Sequence, residues 1–168
     1  RRQRQMCIRD RCGSDLRYLQ GENPWSEQTL GKKNENPDNI ILGHEFSGDV
    51  VEISDPSDEY LLGKKVAVIV YKTCKTCDFC RHGRMNLCKD TAHIGHGAGW
   101  GEMEYYPGGM AEYCQVWSDK VYPFEKISYE EASALDFAAV ALASVRKVPK
   151  VFAEDAAVIG GGPVGLMI

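Results

Sequence analysis

Residues 74–88 read CKTCDFCRHGRMNLC, and they hold four of the chain's seven cysteines. The spacing Cys74-x2-Cys77-x2-Cys80-x7-Cys88 is typical of a four-thiolate zinc site, because two thiolates of one tight turn can face the same ion. Four protein ligands leave no position for a substrate, so we predict that this zinc is structural. The alternative is a set of four free, buried cysteines.

The composition is that of a soluble globular protein. The chain has 168 residues, of which 43% are hydrophobic and 26% charged, and this excludes disordered and fibrous classes. No apolar run approaches the roughly 18 to 20 residues of a membrane helix, and the start shows no apolar core of a signal peptide. The net charge of -4 argues against a nucleic-acid partner. Clustered cysteines in such a chain indicate metal binding in a reducing compartment, so we expect a cytoplasmic protein.

The first segment, residues 1–11, reads RRQRQMCIRDR and holds five arginines and one aspartate. It shows no helical or strand period. One interpretation is a mobile basic arm. The other, which we favour, is a non-native segment, since CIRDR resembles the translated read-through of a sequencing adapter. We therefore leave this segment out of the fold prediction.

A second candidate metal site combines Cys12, His44 and Glu45. The stretch Gly43-His44-Glu45 is followed by Gly48, which makes it more specific than a lone histidine. A catalytic zinc needs three protein ligands of mixed nitrogen, sulfur and oxygen type and an open fourth position. The alternatives are a core cysteine and a histidine that serves only as a satisfied polar group.

The character of the sequence changes after residue 127. Ser128 and Glu131 form a capping box, and the helical pattern that follows runs to about Lys147. Residues 156–159 are predicted to form a short strand, which leads into GGGPVG at 160–165. This turn fits G-x-G-x-x-G in the strand-to-helix context that supports a pyrophosphate cradle. The residues expected at the cofactor are Gly160, Gly162, Pro163, Val164 and Gly165. The alternative is a simple glycine turn.

Five motifs together resemble the zinc-dependent medium-chain alcohol dehydrogenase family. They are CGSDLR (12–17), GHEFSG (43–48), CRHGRMNLC (80–88), GGMAEY (108–113) and GGGPVG (160–165). The resemblance implies a mainly β, GroES-like barrel as the catalytic domain at 12–127, with its zinc lobe at 73–89. It also implies that 128–168 hold linking helices and the truncated start of an α/β Rossmann nucleotide-binding domain.

The same resemblance implies roles for single residues. Cys12 and His44 would be ligands of the catalytic zinc, and Glu45 a ligand or an exchangeable neighbour. Ser14 matches the family's first proton-relay hydroxyl. Asp136 begins the stretch DFAAVALASV, which is similar to EPLAVALHAV in polyol dehydrogenases, and it would supply a carboxylate ligand. The alternative for Asp136 is an acid on a helix surface.

The activity implied is oxidation of an alcohol or polyol hydroxyl to a carbonyl, with two Zn²⁺ per chain and NAD or NADP as cofactor. The partner would be a small-molecule substrate, with no nucleic acid and no membrane, and the full-length protein would be a homo-oligomer. We expect the 168-residue chain itself to be inactive. One alternative is the reverse reaction, a carbonyl reductase. An alternative from another class is a zinc-stabilised, non-catalytic binding module, which would hold one zinc.

Overall fold

A five-stranded antiparallel sheet forms the centre of the computed structural model, which describes residues 2–4, 12–23, 38–97, 99–148 and 155–168. The strands of this sheet are β1 (Arg2–Arg4), β2 (Ser47–Val50), β3 (Lys65–Val68), β6 (Tyr113–Gln115) and β7 (Val121–Pro123), in the order β6-β1-β2-β3-β7. A separate two-stranded sheet pairs β4 (Tyr71–Lys72) with β5 (Ala92–His93).

The helices are short, except for one. They are α1 (Gly13–Leu19), α2 (Asp78–Arg81), α3 (Tyr129–Ser133), α4 (Leu135–Lys147) and α5 (Pro163–Met167), with 3₁₀ turns at Pro56–Leu61, Met85–Leu87 and Ser118–Lys120. The predicted helical pattern after residue 127 is thus confirmed as two helices, α3 and α4. The capping box is present as predicted, because the Ser128 hydroxyl accepts from the Glu131 amide while the Glu131 carboxylate accepts from the Ser128 amide.

The core combines residues of strands β2, β3, β6 and β7 with residues of the turns and loops between the strands. Its buried members are Phe46, Val50, Leu61, Val66, Val70, Ile94, Cys114, Val116 and Val121. Burial of one such side chain stabilises the fold by about 1.5 to 3 kcal/mol. Phe46 directly follows the His44-Glu45 pair, so its burial fixes the backbone that carries these two candidate ligands.

Helix α3 is fastened to strand β2 by side-chain hydrogen bonds. The Ser47 hydroxyl donates to the carbonyl oxygen of Tyr129 at 2.8 Å, and it lies 3.2 Å from the hydroxyl of Ser133. The Tyr129 hydroxyl in turn donates to Asp49 at 2.7 Å. These contacts hold the start of the helical region against the strand that follows the candidate metal ligands.

The sequence prediction and the structure differ at both ends of the chain. Residues 1–11 were left out of the fold, whereas the backbone of Arg2–Arg4 pairs with both β2 and β6; Arg1 and residues 5–11 lie outside the described residues. Residues 156–159 do not form the predicted strand. Val158 and Ile159 are exposed, and a strand needs a hydrogen-bonded neighbour, which this segment does not find in the described part of the chain.

The described strands form an open sheet rather than the closed barrel that we expected. Strands β6 and β7 are its two edges, and no strand pairing between the two edges is found among the described residues. Residues 24–37, which separate α1 from the segment of His44, lie outside the described residues.

Candidate metal centres

The four cysteines of the lobe at 73–89 converge on one point. The sulfur atoms of Cys74, Cys77, Cys80 and Cys88 all lie within 4.8 Å of one another. Two of the separations are 3.5 Å, between Cys74 and Cys88, and 4.0 Å, between Cys77 and Cys88. Four sulfurs at tetrahedral Zn–S distances stand about 3.8 Å apart, so the arrangement fits a zinc ion.

Local backbone geometry produces this convergence. Lys75, between the first two cysteines, has a left-handed backbone with φ of 61°, which turns the chain so that both thiols face inward. The amide of Cys74 donates to the sulfur of Cys88 at 3.3 Å, and the amide of Cys77 donates to the sulfur of Cys74 at 3.2 Å. Such N–H donors stabilise thiolates and so compensate the negative charge of a four-cysteine site.

Three lysines in or beside the lobe contact an aspartate or aromatic rings. Lys75 pairs with Asp119 at 3.4 Å, Lys72 lies over the ring of Trp117, and Lys89 lies over a ring of the lobe itself, Phe79. The thiol of Cys74 is stabilised as thiolate by hydrogen bonds from Thr76 and from the Cys77 amide, which lower its pKa to about 6.

The second cluster joins two distant segments. One ligand atom each from Cys12, His44 and Glu45 lies within 4.8 Å of the other two. Cys12 is the N-cap residue of α1, and the other two residues precede β2. His44 and Glu45 are buried, at 6% and 8% exposure, while Cys12 is partly exposed. Of the candidate ligands expected from the sequence, the fold brings Cys12, His44 and Glu45 together, while Asp136 is not among these converging atoms.

Backbone-to-backbone packing positions the His44 segment. Gly43 has φ of 95°, and a Cβ there would lie 2.8 Å from the amide nitrogen of Met110. At Gly108 a Cβ would lie 1.8 Å from the carbonyl oxygen of Ile41. Residues 41–43 and 108–110 can approach this closely only because both positions are glycine. The motif GGMAEY thus acts as a support for GHEFSG.

Besides the candidate ligand Cys12, the stretch Cys12-Gly13-Ser14-Asp15 supplies two side chains that contact His44. The hydroxyl of Ser14 lies 3.4 Å from Nε2 of His44, and Oδ1 of Asp15 lies 3.3 Å from Nδ1 of the same ring. The same Oδ1 accepts the amide of Gly43 at 3.2 Å. Asp15 was not among the predicted site residues, although it belongs to the motif; a carboxylate behind a metal-binding histidine would have been the signal.

The charges of this cluster are coupled. Burial disfavours a charged His44, but hydrogen bonds and attraction from Asp15 and Cys12 outweigh it and raise the pKa of the imidazole to about 10. A hydrogen bond with His44 lowers the pKa of the Cys12 thiol, against the effect of its burial. Without a metal, these interactions favour the imidazolium form of His44, so a metal that binds through a ring nitrogen must displace a proton from it.

Two further histidines contact this cluster. Nε2 of His96 lies 3.2 Å from Nδ1 of His44, and the rings of His93 and His96 stack at 4.1 Å with planes 3° apart. Burial lowers the pKa of His93 to about 4 and that of His96 well below its ordinary value. In the sequence their only signal is a place in the glycine-rich stretch at 92–109.

Asp136 stands apart from the converging ligand atoms of the described residues. It lies in the first turn of α4, is exposed as a residue, and lines a cavity of about 280 Å³ with Tyr71 and Leu135. Partial desolvation there raises the pKa of its carboxyl, and the charge of His44 opposes that rise. The ligand group contains Glu45 instead, so the role of Asp136 as a ligand stays a prediction.

The glycine turn before α5 has the backbone that its sequence predicts. Gly160 has φ of 105°, Gly162 is the N-cap residue, and Pro163 occupies the first helical position. A Cβ at Gly165 would lie 2.0 Å from the carbonyl oxygen of Gly160, so the turn and the helix pack closely.

None of the described helices has both the length and the apolar character that a membrane-spanning helix needs.

The four-cysteine lobe and the cluster of Cys12, His44 and Glu45 define a metal-binding protein with two candidate zinc sites, one closed and one with room for a further ligand. Comparison with models of known protein families identifies the family of the chain. Residues 9–126 match the alcohol dehydrogenase GroES-like domain, and the chain belongs to this family.

Known relatives are longer than this chain. It is 32% identical over 157 residues to an L-threonine 3-dehydrogenase of Coxiella burnetii, covering 93% of this chain and 41% of that protein. It is 30% identical over 158 residues to a sorbitol dehydrogenase of Bacillus subtilis, covering 93% and 40%. A structural match is a Sinorhizobium meliloti 1021 protein classed as a zinc-binding dehydrogenase and solved bound to NADP (TM-score 0.76, 25% identity, 99% and 43% coverage). The chain spans about 40% of the length of the curated relatives it matches.

Proposed function

We propose that this chain forms the metal-binding catalytic domain of a zinc-dependent, NAD(P)-dependent dehydrogenase that oxidises a hydroxyl of a small alcohol or polyol to a carbonyl. The observation that carries the proposal is the convergence of Cys12, His44 and Glu45, with Ser14 beside them. The whole protein's activity and substrate are part of this proposal, because the chain covers only part of its relatives.

The donor set fits a catalytic zinc. A thiolate, an imidazole and a carboxylate are all good zinc ligands, and three of them leave one position for a substrate. When bound, the metal supplies Lewis acidity, which lowers the pKa of a substrate hydroxyl towards neutrality. Cys12, His44 and Glu45 would hold it. The four-cysteine lobe would hold a second, structural zinc, which makes two ions per chain.

The chain's own groups then bind the substrate and manage its proton. The hydroxyl of Ser14 lies on the Nε2 side of His44, where it can accept the proton from the substrate hydroxyl and pass it on. Asp15 holds the opposite nitrogen and so keeps the ring oriented. Both groups act through oxygens fixed at the start of α1, which reduces the cost of arranging them for each turnover.

The glycine turn at 160–165 supports a nicotinamide dinucleotide as the second cofactor. Gly160, Gly161 and Gly162 carry no side chains before the start of α5, so they leave room for a phosphate to approach the backbone, as a pyrophosphate cradle requires. The cofactor supplies the hydride acceptor. Binding of NADP by the Sinorhizobium meliloti relative supports this part of the proposal. In the same proposal, residues 128–168 are the linking helices and the first part of a nucleotide-binding domain.

Metal stoichiometry of the purified chain tests the proposal. We expect two zinc ions per chain by elemental analysis, and one in a Cys12→Ser, His44→Asn double variant. A wild-type chain with one zinc, held by the lobe, would instead favour a zinc-stabilised binding module. Cys114→Ser is the matched control, because this cysteine is buried in the core and should leave both ions in place.

The open coordination position can be tested on the same chain. Zinc is loaded first into the lobe, and Co²⁺ is then added to the second site, where its visible absorption reports the ligands around it. Sorbitol or a simple secondary alcohol should shift this spectrum. A spectrum that no alcohol changes would contradict the dehydrogenase assignment.

A further inference from the structure

The imidazole of His96 has an unusual environment for a buried side chain. It is 8% exposed, its Nε2 lies 3.2 Å from Nδ1 of His44, and its Nδ1 has no hydrogen-bond partner among the described residues. A buried polar atom without a hydrogen bond costs free energy, so its presence calls for an explanation. The hydrogen bond between His96 and His44 depends on which ring nitrogen of His96 carries the proton.

The protonation of the candidate ligand His44 determines which nitrogen of His96 carries the proton. Nε2 of His44 faces the side of Ser14, whereas its Nδ1 faces both Asp15 and His96. A histidine that binds a metal through Nε2 keeps its proton on Nδ1, where it must be donated to an acceptor. Asp15 Oδ1 and His96 Nε2 are the two acceptors within reach, at 3.3 and 3.2 Å.

The proton on Nδ1 of His44 in turn determines the tautomer of His96. If Nε2 of His96 accepts the proton of His44, it must carry a lone pair, and the single proton of a neutral His96 then lies on Nδ1. With the proton on Nε2 instead, His96 would donate to Nδ1 of His44 and force the proton of His44 onto Nε2. That arrangement would remove the lone pair that a metal needs.

The ring of His96 is held in this orientation by two neighbours. It stacks on His93 at 4.1 Å and contacts the ring of Tyr18 at 4.9 Å. His93 is itself fixed, because its Nδ1 lies 2.9 Å from the carbonyl oxygen of Ile94 and donates to it. The loop at 93–96 therefore presents a preoriented acceptor to the candidate ligand.

We propose that His96 is a positioning residue for His44: it accepts the Nδ1 proton of His44 and so keeps Nε2 of His44 available to the metal. This inference rests on the proposed metal site. In this inference, His96 and Asp15 share the role of acceptor for the proton on Nδ1 of His44. It also gives the site a buried N–H donor at Nδ1 of His96, since this nitrogen must then carry the proton.

The first test reads the tautomers directly. In the zinc-loaded chain with ¹⁵N-labelled histidine, long-range ¹H–¹⁵N spectra distinguish protonated from unprotonated ring nitrogens. We expect the proton on Nδ1 in both His44 and His96. A proton on Nε2 of His96 overturns the inference.

The second test uses two variants and a metal titration. His96→Phe keeps a ring to stack on His93 but has no acceptor, whereas His96→Gln can place an amide oxygen near the former Nε2. Loss of an outer-shell partner of a ligand weakens metal binding by about 10- to 100-fold. We expect this loss for Co²⁺ at the second site of His96→Phe, and recovery of most of the affinity in His96→Gln.

The four-cysteine lobe is an internal control for folding. Its metal affinity should be the same in the wild type and both variants. A merely structural role of His96 would lower the stability of both variants without separating their Co²⁺ affinities, and this result overturns the inference. A wild-type chain with no second metal site contradicts the proposed function itself, so the two failures are distinguishable.

Discussion

Asp15 Oδ1 lies 3.3 Å from Nδ1 of His44, although the two residues come from different segments of the chain. Because Cys12 and Ser14 belong to the same short stretch as Asp15, one turn provides a candidate ligand, a hydroxyl and a carboxylate beside the second candidate ligand. Folding of the α1 start against residues 43–45 therefore assembles the second site in a single contact.

Removal of the Asp15 charge should change the protonation of His44. In the metal-free chain we expect Asp15→Asn to lower the pKa of His44 from about 10, because the carboxylate stabilises the imidazolium. An opposite charge at this distance is worth about one to three pH units. Titration of the imidazole carbon-bound protons by NMR measures the change. Asp119→Asn, at the surface beside Lys75, is the control and should leave the pKa of His44 in place.

The lobe should depend on every one of its sulfurs. Cys77→Ser is expected to lower the zinc content by about one ion per chain and to destabilise the fold, since metal binding contributes on the order of 10 kcal/mol to folding in isolated zinc fingers. Elemental analysis and thermal unfolding measure both effects. Unchanged metal content in this variant would contradict the assignment of the lobe as a zinc site.

Paired substitutions decide between Glu45 and Asp136 as the carboxylate ligand. Glu45 belongs to the converging ligand atoms, whereas Asp136 lies on α4 beside a separate cavity. We expect Glu45→Gln to weaken Co²⁺ binding at the second site by at least about tenfold. Asp136→Asn should change it much less. The reverse order would make Asp136 the ligand and Glu45 its neighbour.

The close approach at Gly108 should be sensitive to a single methyl group. A Cβ there would lie 1.8 Å from the carbonyl oxygen of Ile41, so Gly108→Ala must push residues 41–43 away. We expect a loss of about 3 kcal/mol in the free energy of unfolding and weaker metal binding at His44. Gly161→Ala meets no atom within 4 Å and should change stability by less than about 0.5 kcal/mol. Equal stability of the two variants would show that the contact is not tight.

The buried thiol of Cys114 predicts a pH dependence. Burial raises its pKa from 9.0 to about 12, so the folded state favours the neutral thiol. This contribution to stability is fully present below about pH 9 and is lost as the pH rises towards 12. Between pH 9 and 10.5 we expect wild type to lose on the order of 1 to 2 kcal/mol more than Cys114→Val, as measured by urea unfolding. Parallel pH curves for the two proteins would contradict this.

The sequence was most informative where the interactions are local. The lobe is encoded by spacing within fifteen residues, and the capping box by two residues three positions apart; both are present in the structure. Such features depend on turn and helix geometry, which a short stretch determines by itself.

Contacts between residues far apart in the sequence could be predicted only in part. The resemblance to a family indicated Cys12, His44 and Glu45, but neither Asp15 nor His96 could be assigned a partner, because their contacts with His44 depend on how separate loops pack. The segment 156–159 failed as a strand for a related reason. Its apolar pattern permits a strand, but a strand forms only where a neighbour accepts its hydrogen bonds.

The two candidate metal sites require different lengths of chain to be synthesised before they can form. We therefore expect them to take up metal in a fixed order during synthesis. The lobe is complete once residue 88 has emerged from the ribosome, since its ligands close only a short loop at small entropic cost. The second site must wait for residues 108–110, which support the backbone before His44. When zinc is scarce, a nascent chain should therefore fill its structural position first, and a half-loaded population should be folded but lack the second metal.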